Sequence, residues 1–249
     1  MDSAEIVAKR SAKVIYRNGD KSVKVFDEAF SKADILNEAL IQARVEETGL
    51  NIPKIIEIIK YKGKWAIVTE FIEGKTLETI MAENPDKQDY YLNLFVDLQM
   101  SVHAKRSPRL SMLKDKINRK ISATELDATT RYDLHSKLEA MPKHVKVCHG
   151  DYDPSNVIIK NDGTPYIIDW AHATQGNASA DAAISYLSFC ICGKKAMAEE
   201  YLNIFCKKSD TAKQYIQKWL PIAAASQLLK YDGQAKEILL SYVNTVVIG

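Results

Sequence analysis

Residues 157–168 constrain this chain most. Val157-Ile158-Ile159 and Tyr166-Ile167-Ile168 are short β-branched and aromatic runs, and Asn161-Asp162-Gly163 lies between them. Turn residues flanked by such runs predict a tight hairpin. A hairpin returns its outer ends to one edge, so the residues before Val157 come beside those after Ile168. Those flanks are polar, with His149-Gly150-Asp151, Asp153 and Asn156 on one side and Asp169 on the other. Apolar Val145 and Val147 ahead of them place these groups at strand ends and not on a solvated helix. Two carboxylates and an amide are thus expected to converge, which a hairpin with only a structural task does not need.

The rest of the chain changes character near residue 75. Val14-Ile15-Tyr16 and Val23-Lys24-Val25-Phe26 read as strands around Asn18-Gly19-Asp20. Residues 33–47 read as a helix, with Ile35, Leu36, Leu40, Ile41 and Val45 as its apolar stripe, ended by Thr48-Gly49. Residues 55–59 and 65–68 read as two further strands turning at Lys62-Gly63-Lys64. Helical composition then dominates over 75–83, 88–104, 111–121 and 124–140, and again from about 178 to 247. No internal repeat or low-complexity linker intervenes. The expectation is one unit of two lobes, a β-rich part over 1–72 and a larger helical part over 73–249.

Composition narrows the setting. The 249 residues carry a net charge of only +2, which gives no global nucleic-acid footprint. The opening MDSAEIVAKR lacks the apolar core of a signal peptide, and no run approaches the ~20 apolar residues of a membrane span. A cytoplasmic protein with no nucleic-acid or membrane partner is expected. Cys148, Cys190, Cys192 and Cys206 suit a reducing compartment. Cys190-Ile191-Cys192 has no second Cys or His pair at ligand spacing, so it reads as buried, unbonded thiols.

The convergent groups have a defined chemistry. Asp169 offers carboxylate oxygens and Asn156 an amide oxygen, the hard donors that Mg²⁺ takes. Asp151, five residues before Asn156, can orient a hydroxyl and accept its proton. Turn formation beside Pro154 accounts for Asp153 and is open to Asp151 as well, and Asp169 is open to a helix cap. Lys24 sits inside an apolar strand, where a lone ammonium is costly unless paired. Glu38 on the following helix is its natural partner; an edge strand with Lys24 in solvent is the alternative.

As a set, His149-Gly150-Asp151-x-x-x-x-Asn156 followed by Ile167-Ile168-Asp169-Trp170 resembles the aminoglycoside phosphotransferase and choline kinase-like family, small-molecule relatives of the protein kinases. The resemblance runs from Lys24 to about Leu187. It implies an α+β, bilobal protein-kinase-like fold, with a small antiparallel-sheet lobe carrying one helix and a larger, mainly helical lobe. It implies transfer of the γ-phosphoryl group of ATP or GTP to a hydroxyl of a small molecule, with Mg²⁺ as cofactor. By the same resemblance Asp151 is the catalytic base, Asn156 and Asp169 are metal ligands, and His149 and Asp181 brace the catalytic loop. Lys24 and Glu38 would position the nucleotide phosphates, and the backbone at Glu70 and Ile72 would bind adenine. The glycine-rich phosphate loop of the protein kinases is missing, since Lys9-Arg10-Ser11-Ala12 stands in its place and residues 1–18 hold no glycine. Ser11 and nearby amides would substitute. A protein kinase and a nucleotide-binding pseudokinase are the alternatives. Trp170 after Asp169 and the lack of a long activation segment before Asp181 oppose the first, and intact Lys24, Asp151, Asn156 and Asp169 oppose the second.

Charge bears on the acceptor. Residues 87–147 hold 12 Lys/Arg against 7 Asp/Glu, net +5. Polycationic aminoglycosides prefer an acidic cleft, so a basic helical part argues mildly against them. A choline-type acceptor wants an aromatic cage. Tyr186, Tyr201, Phe205, Tyr215 and Trp219 are available, yet their helical spacing reads mostly as core. Sequence alone leaves both the acceptor and the oligomeric state open.

Overall fold

In chain order the computed structural model, which describes residues 5–10 and 12–246, contains β1 (Glu5–Arg10), β2 (Lys13–Asn18), β3 (Lys21–Phe26), α1 (Lys32–Glu46), β4 (Ile55–Tyr61), β5 (Lys64–Glu70), β6 (Gly74–Thr76) and α2 (Leu77–Glu83). Then come α3 (Gln88–His103), α4 (Leu113–Ser122), α5 (Ala128–Ala140), β7 (Lys146–Cys148), β8 (Val157–Lys160), β9 (Pro165–Ile167) and β10 (Thr174–Gly176). Five helices follow: α6 (Ala178–Ile191), α7 (Lys195–Ser209), α8 (Lys213–Gln217), α9 (Leu220–Gln227) and α10 (Gly233–Val243). The fold is α+β and kinase-like, with a five-stranded antiparallel sheet and many helices.

The chain divides into two compact units, residues 1–83 with 154–172, and residues 84–153 with 173–249. The reason is strand pairing: β6 pairs antiparallel with β8, and β8 with β9, so the 157–167 hairpin is held to residues 74–76.

In the first unit the sheet order is β1-β2-β3-β5-β4. Period-two alternation along β3 puts Val23 and Val25 on one face, in a cluster with Tyr61, Ala66 and Val68. The opposite face carries Phe26, which packs with Ile67 of β5 and with Ile35 and Ala39 of α1. Lys24, two residues before Phe26, belongs to this second face and so points toward α1. Ser31 caps α1 through a reciprocal capping box with Asp34, which fixes the start of the helix. The sheet-facing side of α1 is Ile35 and Ala39, with Glu38 beside them. The expected stripe of Leu36 and Leu40 is wrong here, because both lie about one step of rotation further round and are exposed.

In the second unit α6 and α9 are buried almost all round, as central helices of a bundle are. Their alanines let α7, α4 and α10 approach closely. β7 and β10 form a two-stranded antiparallel pair, Cys148 opposite Thr174 and Lys146 opposite Gly176. Gly176 has to be glycine, since a Cβ there would lie 2.4 Å from the Leu113 Cβ. Asn177 then caps α6 by accepting from the Ser179 N–H, which fixes the first turn that carries Asp181.

Candidate active site

In the first unit the 157–167 hairpin does what its sequence requires. Val157 pairs with Ile167, and the Ile168 N–H donates to the Asn156 carbonyl at 2.9 Å. Asn156 and Asp169 therefore end on the same edge. Asp169 holds φ at 63°, a left-handed conformation that aspartate tolerates better than most residues. The following Trp170 is fully buried and anchors the turn by donating its indole N–H to the Ile167 carbonyl at 2.9 Å.

Lys24 meets two carboxylates. Its Nζ lies 2.7 Å from Glu38 Oε1 and 2.8 Å from Asp169 Oδ1. Burial alone would pull the Lys24 pKa down, but the charges of Asp169 and Glu38 outweigh it and hold the ammonium above its ordinary value. Lys13, which sequence reasoning did not single out, holds the other oxygen of Glu38 at 2.9 Å. Glu38 is thus pinned by two ammonium groups and Lys24 is fixed between two acids. Glu70 ends β5; its N–H donates to the Lys54 carbonyl at 3.0 Å, and its own carbonyl accepts the Thr69 hydroxyl at 3.2 Å. Ile72 follows in the segment between β5 and β6. Ser11 lies outside the described residues.

Asn156 and Asp169 supply one amide and one carboxylate oxygen donor. Among the described residues no cluster of three or more His, Cys, Asp or Glu is placed to hold a metal. A Mg²⁺ site of the kind that keeps several waters and uses one or two protein oxygens together with substrate phosphates fits this donor set.

The second unit carries the other predicted groups. Gly150 has φ 79°, the conformation that only glycine adopts freely, and this turns the chain sharply between His149 and Asp151. Asp181 is fully buried and braces that turn. It accepts from the Gly150 N–H at 2.7 Å and the His149 N–H at 3.1 Å, and its Oδ2 lies 2.9 Å from His103 Nε2. Burial would raise the Asp181 carboxyl, but the His103 hydrogen bond and charge, with the Gly150 N–H, hold it below the ordinary value. His149, also fully buried, accepts the Asp151 N–H at Nδ1 over 3.3 Å. It therefore shapes the backbone at Asp151.

Asp151 itself is partly exposed, and its Oδ1 lies 2.5 Å from Lys230 Nζ. Lys116 and Lys120 on α4 also feel its charge. None of these lysines, nor His103, was singled out from the sequence. Of the proposed cage aromatics, Tyr186, Tyr201, Phe205 and Trp219 are core, and Tyr215 is half-buried with its hydroxyl on the Asn177 amide at 2.7 Å. None of the four cysteines forms a disulfide, and Cys192 is exposed, because it caps the C-terminal end of α6 rather than lying inside it.

The first unit thus holds an antiparallel sheet with one helix and an ammonium locked between two acids, and the second a helical bundle that braces an aspartate turn. The family described as "Phosphotransferase enzyme family" matches residues 5–215, and the chain belongs to it. No curated protein sequence matches the chain. Among solved structures, a thermostable mutant of the aminoglycoside phosphotransferase APH(4)-Ia, in ternary complex with ADP and hygromycin B, is similar at TM-score 0.71 and 13% identity, over 99% of this chain and 94% of that one. Choline kinase LicA from Streptococcus pneumoniae is similar at TM-score 0.66 and 17% identity, over 99% and 94%. A choline/ethanolamine kinase family protein from Mesorhizobium loti is similar at 0.65 and 15%, over 99% and 88%. At such identities the likeness is one of fold.

Proposed function

We propose that this chain is a cytoplasmic, Mg²⁺-dependent kinase that moves the γ-phosphoryl group of ATP, or GTP, to a hydroxyl of a small molecule. The observation that carries the reading is Lys24 fixed between Glu38 and Asp169, with Asn156 at the same hairpin edge. Phosphoryl transfer needs little covalent help and much positioning and charge neutralisation. Lys24 would hold nucleotide phosphates, while Glu38, itself gripped by Lys13, keeps the ammonium in place. Asn156 and Asp169 would hold the Mg²⁺, which when bound neutralises phosphate charge. Asp151 orients the acceptor hydroxyl and takes its proton at a carboxylate oxygen. His149 and Asp181 keep the backbone leading into that carboxylate in one conformation. The carbonyl of Glu70 and the N–H of Ile72 would receive the purine.

The direct test is ADP or GDP release by the purified chain with Mg-ATP or Mg-GTP, over choline, amino alcohols, sugars, nucleosides and aminoglycosides. Acceptor-dependent release with at least one class is expected; no release above the acceptor-free background in a protein that binds nucleotide would sink the reading.

A second measurement isolates the lysine. Lys24→Ala removes one charge-assisted contact to phosphate, of the kind worth about 1.5–3 kcal/mol, or roughly ten- to a hundredfold in affinity. Calorimetry should show Mg-ATP binding weakened by that much in a folded variant, with Glu38 still held by Lys13. Unchanged affinity would remove Lys24 from the nucleotide site.

A further inference from the structure

Among the described residues, lysines gather around Asp151. Lys230 stands in the single turn that follows α9, with Nζ 2.5 Å from Asp151 Oδ1. Lys116 and Lys120 are four residues apart on α4 and so share one helix face, and α4 packs against α9. Both are partly buried rather than spread over solvent, and both are coupled to the Asp151 charge. Arg119 acts on Lys116, while Asp153 lies near enough to act on Tyr231. Lys116, Lys120 and Lys230 thus share the surroundings of Asp151.

A solvated lysine face would show ordinary titration. Here burial, then Lys120 and Arg119, push Lys116 down to about 7 despite the opposing pull of Asp151. Burial and Lys230 likewise lower Lys120. Packing cations this tightly is costly, and an oxyanion among them relieves the cost.

We propose that the acceptor is a small hydroxylated anion, whose carboxylate or phosphate is held by Lys116, Lys120 and Lys230 while its hydroxyl faces Asp151. This rests on the phosphotransferase reading, which places the acceptor hydroxyl at Asp151. A hydroxyl presented to that carboxylate comes within reach of the Lys230 ammonium, and an anionic substituent a few bonds away meets the two α4 lysines. A polycation or a quaternary amine meets the same three charges as repulsion.

The test uses matched acceptors: polyols of three to five carbons (glycerol as the smallest), their aldonic acids, their phosphate esters, and choline and kanamycin as cations. At least one acid or ester should exceed its parent polyol and both cations by tenfold or more in kcat/KM; which of the two anions does so identifies the group. In Lys116→Gln/Lys120→Gln, thermal melting should show an intact fold, the KM for that anion should rise tenfold or more, and the Kd of Mg-ATP measured without acceptor should hold. Equal or better use of polyols or cations would overturn the anion site and leave the kinase standing. If nothing is turned over, calorimetry with the same acids and esters decides: binding lost in the double variant keeps the anion site and counts against the kinase, and no binding ends the proposal.

Discussion

Asp151→Asn is expected to cut turnover by about 10²–10⁴-fold while Mg-ATP still binds. Asparagine keeps the size of the side chain and one acceptor oxygen but cannot take a proton from a hydroxyl. The variant also removes the partner of Lys230, yet both side chains are partly exposed, so the stability cost should be small. Asp169→Asn makes the contrast. It deletes the charge that faces Lys24 at 2.8 Å and, in the proposed function, the charge opposite Mg²⁺. Its nucleotide affinity should fall together with turnover, and the fall should depend on Mg²⁺. Calorimetry with and without Mg²⁺, beside steady-state kinetics, reads both variants. Loss of Mg-ATP binding in Asp151→Asn with retention in Asp169→Asn would exchange the two assignments, and full activity in both would refute the mechanism.

Asp181→Ala should be the most destabilising of these substitutions. It strands the N–H groups of His149 and Gly150 and one nitrogen of His103 in the interior, where all three now meet a fully buried carboxylate. Breaking a buried charged network by removing one partner costs about 3–5 kcal/mol, which in a domain of this size lowers the melting temperature by on the order of 10 °C. Asp181→Asn keeps one acceptor oxygen and should cost less. The pH dependence separates the charge from the packing. Because the folded-state carboxyl is held below its ordinary value of about 3.9, its contribution is present above that pH and is lost as pH falls through the folded-state value. The stability gap between the native chain and Asp181→Asn should therefore narrow below about 4. Chemical denaturation from neutral into acid pH measures it, and a gap that stays constant into the acid limb would show that the negative charge contributes nothing.

Much of the site could be read from the chain because its chemistry is local. Gly150 beside Asp151, the Asn161-Asp162-Gly163 turn and the isoleucines before Asp169 each specify a backbone shape within a few residues. A hairpin then brings Asn156 to Asp169 without any long-range packing. Lys24 could be singled out for a related reason, since strand alternation and an apolar setting leave its ammonium no cheap alternative to an acid on the next helix. Local patterns served less well where two elements meet. The face α1 turns to the sheet is set by Phe26 and Ile67, and it buries Ile35 and Ala39 while leaving Leu36 and Leu40 exposed. The short β6 takes in Lys75 and Thr76, which read as helix, because its strand character comes from pairing with β8 and not from its own composition.

The amino-acid sequence by itself thus determined the hairpin and the Asn156 amide and Asp169 carboxylate that it brings to one edge, through spacing and turn chemistry that need no distant partner, while the α+β kinase-like class came through the motif's resemblance to a known family. Tertiary structure alone decided which basic side chains face Asp151 and Asp181. Lys230 reaches Asp151 across 79 positions of sequence, and His103 reaches Asp181 across 78. No periodicity encodes either distance, because each follows from how whole helices pack: α9 against α6, whose Asp181 braces the Asp151 turn, for the lysine, and the ends of α3 and β7 around the first turn of α6 for the histidine.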